Sequence, residues 1–448
     1  MGAFHAYDIR GIYNVDFDKE VAYKVGYFIP ELLSADKVLV GRDGRVSSPE
    51  IHEWLVKGIT DAGADVYDVG LSTTPIVYFG TAHYGFKASV QITASHNPAE
   101  YNGLKVSREN ALPVGLDTGL GQIRDWIDEG RPCVPAQVKG QVFEKDIRED
   151  YLAFLLKYKG DWSDLKIAMD VSNGMASLFV RDIFGDQPAY IYEDLDGRFP
   201  NHEPNPLNPK NVVDLQKLVA ETGADIGVIY DGDADRVMFV DENSRFISPD
   251  LMIAVLGHYF LEERGEKGYV HQDIRSSKAV GEYLAPMGGV MNTWRGGRAY
   301  AALKLRELDG VFGGELAGHY YFRDFFYSDS GLLASIIILN VVAKMKAQGV
   351  SLSQLIGRIE KYQNSGEINF KLEAKKEAMD AVRDYFMAQE RATAYMDFDG
   401  YRVEFPDWWF NIRPSNTEPY LRFLCEATSK ELLDEKVAKV REIISQFM

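Results

Sequence analysis

The feature with the clearest chemical potential is a run of alternating carboxylates, Asp231-Gly232-Asp233-Ala234-Asp235-Arg236. It stands between an apolar run that ends at Tyr230 and another that begins at Val237. Three carboxylates at alternate positions can converge on one hard cation, and Mg²⁺ takes a few such oxygens while leaving coordination positions for phosphate. The run therefore predicts a magnesium site. A solvated acidic turn that Arg236 neutralises is the structural alternative.

An EF-hand calcium loop is another interpretation of the same residues. Counting from Asp231, the twelfth residue is Glu242, as such a loop requires, but Arg236 stands at the sixth position, where the loop needs glycine. The flanking apolar runs are also typical of strands rather than helices. These departures exclude the EF-hand.

A serine lies in a second polar run, Thr93-Ala94-Ser95-His96-Asn97-Pro98, which is followed by Asn102-Gly103-Leu104-Lys105. A hydroxyl in a strand-end loop, with a lysine shortly after it, suits an activated nucleophile or a phosphoryl carrier. The alternative is a polar turn that ends at Pro98. His96 is a further candidate catalytic residue, although adjacent side chains on an extended chain point to opposite faces and form no Ser/His pair by themselves.

A glycine-rich loop, Gly313-Gly314-Glu315-Leu316-Ala317-Gly318-His319, is the third motif. Its glycines let the backbone approach a ligand, and Glu315 can accept hydrogen bonds from paired sugar hydroxyls. Taken alone, the motif is more typical of a buried glutamate paired with an arginine beside a loop histidine.

The fourth motif is Arg413-Pro414-Ser415-Asn416-Thr417-Glu418-Pro419, with Arg422 shortly after it. A guanidinium, two hydroxyls, an amide and the N–H groups of a turn supply the donors that phosphate oxygens need. A β-turn set by Pro414 and Asn416 is the structural alternative. The number of donors favours a phosphate site.

Charge and cysteine content narrow the class of protein. The chain carries 49 Lys plus Arg against 67 Asp plus Glu, and its net charge of −18 disfavours nucleic acid or an anionic membrane as a partner. Cys133 and Cys425 have no metal or redox spacing, which fits a reducing compartment. The N-terminus lacks a signal-peptide pattern, and the apolar segment Gly331–Ala343 is too short to span a bilayer. We expect a cytoplasmic protein, with that segment forming a buried helix.

The elements that must position these motifs follow a repeated α/β order. Strand and helix patterns alternate from residue 37 to residue 92, and strand-to-polar-turn patterns restart near residues 165, 225 and 268. The last ninety or so residues have helix, strands and helix in the order of an α+β domain. The sequence therefore predicts an α/β protein with three similar mixed-sheet domains and a C-terminal α+β domain. We expect domains over residues 1–140, 141–245, 246–355 and 356–448.

Taken together and in this order, the four motifs resemble the α-D-phosphohexomutase family, in particular its phosphomannomutase/phosphoglucomutase branch. The resemblance runs from Tyr7-Asp8-Ile9-Arg10-Gly11 to Arg422, nearly the whole chain. It implies four domains around a central cleft, with one motif from each. It also implies a hexose phosphate as substrate, with interconversion of the 1-phosphate and 6-phosphate of mannose and/or glucose through a phosphoserine enzyme. Mg²⁺ and a hexose 1,6-bisphosphate, as activator or intermediate, are the implied cofactors.

The resemblance also assigns roles to individual residues. Ser95 carries the phosphoryl group and joins Asp231, Asp233 and Asp235 around the metal, while Arg10 and Lys105 stabilise charge or assist proton transfer beside it. His319 is a candidate catalytic residue that faces the sugar together with Glu315. The implied ligands of the substrate's sugar and non-reacting phosphate are Glu315, Arg295, Arg298, Arg413, Ser415, Asn416, Thr417 and Arg422. We expect a monomer or small homo-oligomer.

One residue departs from the family pattern, because members usually carry serine where this chain has Ala317. That difference leaves the preferred sugar open but not the reaction class. The alternatives are a phosphoglucosamine mutase, against which Leu316 and Asn416 argue, a sugar-phosphate-binding protein without catalysis, and a metal-dependent phosphatase.

Overall fold

The computed structural model describes residues 2–415 and 420–448. Four sheets organise the described residues, and we call each sheet with its helices a unit. The first unit has strands β1 Ile9–Ile12, β2 Lys37–Arg42, β3 Asp65–Leu71, β4 Ala88–Ile92, β5 Tyr101–Arg108, β6 Leu112–Pro113 and β7 Val142–Glu144, and helices α1 Lys19–Leu33, α2 Ser48–Asp61, α3 Thr74–His83 and α4 Leu120–Asp128.

The second unit has helices α5 Arg148–Leu156, α6 Val180–Phe184 and α7 Val213–Thr222, and strands β8 Ile167–Asp170, β9 Ala189–Ile191, β10 Ile226–Tyr230, β11 Val237–Asp241 and β12 Phe246–Ile247. The third unit has strands β13 Gly268–Asp273, β14 Gly289–Trp294, β15 Phe312–Gly314, β16 Tyr320–Phe322 and β17 Ser328–Asp329, and helices α8 Pro249–Gly257, α9 Lys278–Leu284, α10 Arg298–Glu307, α11 Gly331–Ala347 and α12 Leu352–Ile359.

The fourth unit has strands β18 Gln363–Asn364, β19 Ile368–Lys371, β20 Ala394–Met396, β21 Tyr401–Glu404, β22 Trp408–Pro414 and β23 Tyr420–Ala427, with helices α13 Lys375–Gln389 and α14 Lys430–Ser445. Its strand pairs are antiparallel, unlike the mixed sheets of the other three units. The predicted fold class is confirmed: three α/β units are followed by one α+β unit.

The first three units repeat one strand order. In the second unit the strand order is β12-β11-β10-β8-β9, and in the third it is β17-β16-β15-β13-β14. In chain order, the first three strands of each of these two sheets run parallel to one another. The fourth and fifth strands each pair antiparallel with the strand before them. Strands β2 to β6 of the first unit follow the same plan. In each of the first three units the third of these five strands, β4, β10 or β15, therefore turns directly back into an antiparallel fourth strand.

Local sequence explains the main elements. Strand β10 is buried at all five positions, as expected for a central strand covered on both faces. Helices α1, α3, α11 and α14 begin after side chains that accept hydrogen bonds from first-turn N–H groups, namely Asp18, Thr73, Ser330 and Ser429. The caps fix where the helices begin and the apolar runs fix where the strands end. Together they determine the positions of the loops that connect strands and helices.

The hydrophobic cores show how the units are joined. One large cluster of buried side chains runs through the second and third units and takes in part of the first, whereas the fourth unit has its own cluster. The apolar segment expected to be a buried helix is α11, and most of its residues are buried. Among the described residues no single helix is long and apolar enough to cross a membrane; only α11 and α12 taken together, bent by 102°, reach that length and composition.

Candidate functional site

Three of the predicted motifs occupy the same place in the repeated fold. The Ser95 loop joins β4 to β5, the Asp231–Arg236 loop joins β10 to β11, and the Glu315–His319 loop joins β15 to β16. Each loop contains a residue with positive φ: Ser95 at 51°, Ala234 at 62° and Gly318 at 87°. The left-handed residue lets the chain reverse within a few residues, so each loop presents its polar side chains at the end of the third strand.

Ser95 is buried against the acidic loop. Its side chain is 1% exposed, and its Oγ donates a hydrogen bond to Asp231 Oδ2 at 2.8 Å. His96 Nδ1 lies 3.5 Å from the same Oγ, a long contact. On an extended chain the side chains of Ser95 and His96 would point to opposite faces. The backbone of Ser95 is left-handed rather than extended, so the two side chains can lie near each other. Burial, followed by the positive charges of Arg236 and Arg10, lowers the pKa of His96 well below its ordinary value.

Arg45 binds the backbone of the Ser95 loop. This fully buried arginine donates to the backbone carbonyls of Ser95 at 2.9 Å, Asn97 at 2.7 Å and Tyr101 at 3.1 Å, and also to that of Pro98. Its Nε is paired with Asp43 Oδ2 at 3.1 Å. Four carbonyls bound by one guanidinium fix the loop in its strained conformation.

The acidic loop forms a compact cluster of oxygens. One carboxylate oxygen from each of Asp231, Asp233 and Asp235 lies within 4.8 Å of the others, and all three residues are buried. Lys105 Nζ donates to Asp233 Oδ2 at 2.7 Å and to Asp235 Oδ2 at 2.5 Å, and Thr74 also donates to Asp233 Oδ2. Burial and the charges of Asp233 and Asp235 raise the pKa of Asp231 well above its ordinary value.

These oxygens fit a divalent cation. Asp233 Oδ1 and Asp235 Oδ1 are buried, yet neither has a hydrogen-bond partner within the described part of the chain. An acceptor buried without a donor costs about 1–3 kcal/mol, and a cation at the loop would relieve that cost. Hard carboxylate oxygens are also the donors that Mg²⁺ prefers. The acidic loop can therefore hold a metal ion.

His319 and Glu315 lie on the other side of the acidic loop. His319 Nε2 is 3.5 Å from Asp235 Oδ1 and 3.6 Å from Asp329 Oδ2. Burial and Arg236 disfavour its charged form, but the carboxylates of Asp235 and Glu315 outweigh them and raise the pKa of His319 to about 9. In the geometry of the structure, however, His319 Nε2 accepts a hydrogen bond from Arg236 Nε at 3.1 Å, as a neutral imidazole does. Glu315 Oε1 accepts from Tyr321 Oη at 2.8 Å and from the N–H of Gly297 at 3.0 Å.

A cleft of about 320 Å³ connects the four motifs. Its wall includes nine of the predicted site residues: Arg10, Lys105, Asp235, Arg298, Glu315, His319, Arg413, Ser415 and Arg422. Ser95, Asp231 and Asp233 do not line the cleft: Ser95 contacts Asp231, and Asp233 contacts the cleft residue Lys105. Arg10 Nη1 donates to Asn97 Oδ1 at 2.9 Å, which brings its guanidinium to the Ser95 loop. Asn416 and Thr417 lie outside the described residues.

The far end of the cleft is rich in arginine. Arg275, Arg413 and Arg422 all line it, and burial together with the charge of Arg275 lowers the pKa of Arg413. Glu367 is the acidic partner of both Arg413 and Arg422, at 3.8 Å and 3.2 Å. Asp273 pairs with Arg275 and Asp399 also lines the cleft, so the forked donors of these arginines, rather than a net positive charge, suit a phosphate.

Two predicted arginines are engaged elsewhere. Arg295 is absent from the cleft wall, and its Nε donates to the carbonyl of Phe398 in the fourth unit at 2.8 Å. Arg298 reaches the wall, but its Nε is bonded to Asp329 Oδ1 at 2.9 Å and its Nη2 to the carbonyl of Ala111 at 2.8 Å. Arg295 therefore does not line the cleft in this structure, whereas Arg298 lines it and also contacts Asp329.

Sequence reasoning missed several residues that the fold brings to this site, namely Tyr7, Arg45, Thr74, Arg275 and Asp329. A signal existed for two of them. Asp43-Gly-Arg45 and Asp273-Ile-Arg275 both follow the first strand of a repeated sheet, and in both the aspartate pairs with the arginine two residues later. The same spacing at equivalent positions marks both arginines as residues of these loops, and of the two Arg275 lines the cleft.

Three α/β units and one α+β unit, each placing one polar loop around a cleft with acidic and basic residues, define a class of multidomain enzyme. Descriptions of one family match consecutive parts of the chain: phosphoglucomutase/phosphomannomutase alpha/beta/alpha domain I over residues 1–131, domain II over 149–244, domain III over 248–362 and the C-terminal domain over 367–443. The chain belongs to the phosphoglucomutase/phosphomannomutase family.

Individual relatives agree with this assignment. A phosphomannomutase of Salmonella montevideo is 35% identical over 97% of this chain and 98% of its own length. Phosphohexose mutases of Xanthomonas campestris pv. campestris are 35% identical over 99% of both chains. A crystal structure of a phosphoglucomutase/phosphomannomutase family protein from Burkholderia thailandensis superimposes with a TM-score of 0.85 at 29% identity, covering 99% of this chain and 97% of that one.

Proposed function

We propose that the enzyme interconverts the 1-phosphate and 6-phosphate of a hexose, mannose and/or glucose, by way of a phosphorylated Ser95 and a hexose 1,6-bisphosphate. The observation that carries the proposal is the 2.8 Å hydrogen bond from Ser95 Oγ to Asp231 Oδ2. It joins the serine loop to the acidic loop, whose Asp235 lines the same cleft as Arg413 and Arg422. A reacting phosphate and a resting phosphate would thus each have a site.

Mg²⁺ is the metal we expect, held by Asp231, Asp233, Asp235 and the phosphorylated Ser95. When bound, it would neutralise negative charge on the phosphoryl oxygens, the main requirement of this chemistry. Lys105 already contacts Asp233 and Asp235, so its ammonium is within reach of the same phosphoryl group. Arg10 lies on β1 and contacts Asn97 of the Ser95 loop, where it would supply a second positive charge.

The reaction needs two half-cycles with the sugar turned end over end. In the first, the phosphoryl group leaves Ser95 Oγ for the free hydroxyl of the hexose phosphate, which yields the bisphosphate. In the second, the other phosphate returns to Ser95. Glu315 would accept from paired sugar hydroxyls in both orientations, with His319 beside it at 3.8 Å. Arg413, Ser415 and Arg422 would hold the resting phosphate, together with the predicted ligands Asn416 and Thr417.

Ser95→Ala tests the proposal. Without the hydroxyl no phosphoenzyme can form, so we expect mutase activity to fall to less than a few per cent of wild type while the fold persists. The assay supplies hexose 1-phosphate, Mg²⁺ and a catalytic amount of the bisphosphate, and circular dichroism checks the fold. Ser177→Ala, which removes a hydroxyl without a hydrogen-bond partner in the described chain, is the control. A Ser95→Ala enzyme with near-normal turnover would disprove the phosphoserine.

The same assay separates the alternatives. A sugar-phosphate-binding protein would give no isomer with any metal, and a phosphatase would release phosphate steadily without isomerisation. Activity on glucosamine phosphate alone would indicate a phosphoglucosamine mutase. The ratio of kcat/KM for mannose and glucose phosphates would identify the preferred sugar, for which Ala317 on the cleft wall removes a usual hydroxyl.

The setting of the enzyme is also part of the proposal. We expect it to work in the cytoplasm as a monomer or small homo-oligomer, without nucleic acid or membrane partners. Cys133 and Cys425 are both free thiols, as a reducing compartment would keep them.

A further inference from the structure

The third and fourth units meet through a buried arginine. Arg402 of β21 is 0% exposed, and its Nη1 donates to the carbonyl of Ile274 at 2.8 Å and to that of Ser276 at 2.6 Å. Its Nε is bonded to Glu404 Oε1 at 2.7 Å, and its guanidinium lies 3.8 Å from the ring centre of Trp409. A side chain from the fourth unit thus binds two carbonyls of a single turn in the third unit.

The segment that Arg402 binds carries a residue of the cleft. Arg275 stands between the two bound carbonyls and lines the cleft. Asp273, at the start of the segment, accepts the N–H of Arg275 at 2.7 Å and pairs with its guanidinium at 2.8 Å. The direction of the Arg275 side chain therefore depends on a segment that is held at both ends.

Asp273 also connects this segment to the sugar-side loop. Its Oδ2 accepts the N–H of Leu316, next to Glu315, at 2.8 Å. A continuous chain of contacts runs from Arg402 through the 273–277 segment to Leu316. Any shift of the segment would move Arg275 and the Glu315–His319 loop together, because one carboxylate holds both.

A second contact supports the same segment. Ser277 Oγ donates to Glu426 Oε2 at 2.6 Å, and Trp409 Nε1 donates to the same oxygen at 2.8 Å. Lys278 Nζ reaches the carbonyl of Phe405 at 2.8 Å. The fourth unit would therefore stay attached without Arg402, and loss of this one side chain would loosen the segment without releasing the unit.

Filling space does not account for a fully buried guanidinium. The fourth unit has a hydrophobic core of its own, and a buried charge is costly unless its hydrogen bonds are made. An apolar side chain could pack on Trp409, but it could not bind the carbonyls of Ile274 and Ser276. The useful property of Arg402 is thus its set of donors: Nη1 binds both carbonyls and Nε binds Glu404, whereas Nη2 has no partner in the described part of the chain.

We propose that Arg402 is a positioning residue that sets Arg275 and the Glu315–His319 loop, so that the orientation of the fourth unit and the geometry of the sugar-side loop are fixed together. The inference rests on the proposed role of that loop in binding the hexose. Arg402 touches no ligand itself. It acts through the backbone on either side of Arg275.

Arg402→Met tests the inference, because methionine keeps much of the length and packing but has no donors. Hydrogen–deuterium exchange of the free enzyme is expected to show at least tenfold faster exchange in peptides covering residues 273–277 and 315–319. With hexose phosphate and Mg²⁺, KM should rise about tenfold or more while kcat changes less than threefold, as loss of ground-state binding predicts. The matched control is Arg383→Met, since Arg383 is bonded to Asp380 and Asp384 and lies over Tyr401, all within the fourth unit.

The outcomes separate this inference from the proposed function. Wild-type exchange at residues 315–319 in Arg402→Met would overturn the coupling whatever the enzyme's substrate. Faster exchange with unchanged KM would leave the coupling intact and contradict the sugar-binding role of the loop. If Arg402→Met unfolds the fourth unit, Arg402→Lys replaces it: one ammonium keeps the charge but not the set of donors, and exchange intermediate between wild type and full loss is expected. Wild-type exchange in that variant would also overturn the inference.

Discussion

At the scale of single residues, Ser95 combines an unfavourable backbone with strong support. A φ of 51° in a residue other than glycine costs on the order of 1–2 kcal/mol. The hydrogen bonds from Arg45 to the carbonyls of Ser95 and its neighbours offset that strain. The serine hydroxyl is therefore aimed at Asp231 by an arginine that lies outside the reacting groups.

Arg45→Lys should weaken this support. A single ammonium cannot serve four carbonyls and the Asp43 carboxylate at once, so the loop should sample conformations that turn Ser95 Oγ away from Asp231. We expect kcat to fall at least tenfold in the mutase assay, with a smaller change in KM. Arg124→Lys is the matched control, because among the residues that the structure describes Arg124 is bonded to its neighbour Asp125 alone, on the surface of the same unit. Equal activity of the two variants would show that Arg45 does not position the serine.

The sequence identified the residues that carry obvious chemistry but not those that position them. Ser95, Asp231 and Glu315 stood out because their neighbours are glycine, proline or other polar residues. Arg45 is one more arginine in a charged stretch, and its acceptors are backbone carbonyls 50 to 56 positions away. Backbone carbonyls have no side-chain signature, so this contact becomes visible only in the folded chain.

At the scale of elements, the two central loops touch through their backbones. A Cβ placed on Gly232 would lie 2.4 Å from the carbonyl oxygen of Ser95. The acidic loop can approach the serine loop this closely only because glycine has no side chain there. The 2.8 Å contact between Ser95 and Asp231 depends on that approach.

Gly232→Ala should separate the two loops. Relief of the overlap requires backbone movement of several tenths of an ångström, which would lengthen the contact between Ser95 Oγ and Asp231. We expect at least a tenfold loss of kcat with a modest fall in thermal stability, measured by the mutase assay and a melting curve. Gly357→Ala in α12 is the control, since a Cβ there meets nothing within 4 Å. Full activity in Gly232→Ala would refute the importance of this approach.

Buried strands are easier to predict from the sequence than exposed strands. Strands such as β10 and β23 were predicted because buried apolar runs ended at polar turns. Strand β7 was not, because its three residues are all exposed and show no apolar pattern, and it pairs with β3 from beyond the expected boundary near residue 140. The boundaries near 140, 245 and 355 stay predictions.

At the scale of the whole molecule, the junction of the third and fourth units contains a titratable group. Glu426 is buried beside Asp250, and burial, with a further contribution from the charge of Asp250, raises the pKa of Glu426 from 4.5 to about 7. Hydrogen bonds from Ser277, Asn364 and Trp409 only partly oppose this shift. Between these two values the unfolded chain is ionised at this position while the folded chain is still protonated.

Stability should therefore fall as the pH rises through this window. Below pH 4.5 both states are protonated, and above about pH 7 both are ionised, so the change is confined to the interval between them. A shift of this size corresponds to roughly 3 kcal/mol at most. Glu426→Gln, which resembles the protonated form, should gain in free energy of unfolding relative to wild type between pH 5 and pH 8, measured by urea denaturation. The exposed Glu221→Gln should show no such gain, and parallel pH profiles for wild type and Glu426→Gln would contradict the burial argument.

Sequence patterns reached the number and class of the units but not their mutual arrangement. Arg402 and its acceptor Ile274 are 128 positions apart, and neither sits in a recognisable motif. Contacts between units are made by single polar side chains on otherwise ordinary strands. Only the folded chain shows which of them meet.

The separation of Ser95 from its acceptor has a consequence for synthesis. Asp231 follows Ser95 by 136 positions, so the ribosome completes the serine loop long before the carboxylates emerge. During that interval the hydroxyl lacks its hydrogen-bond partner, and under the proposed function the nascent chain could not exchange phosphate with cellular metabolites. Chemical competence arrives late, when the second sheet docks on the first.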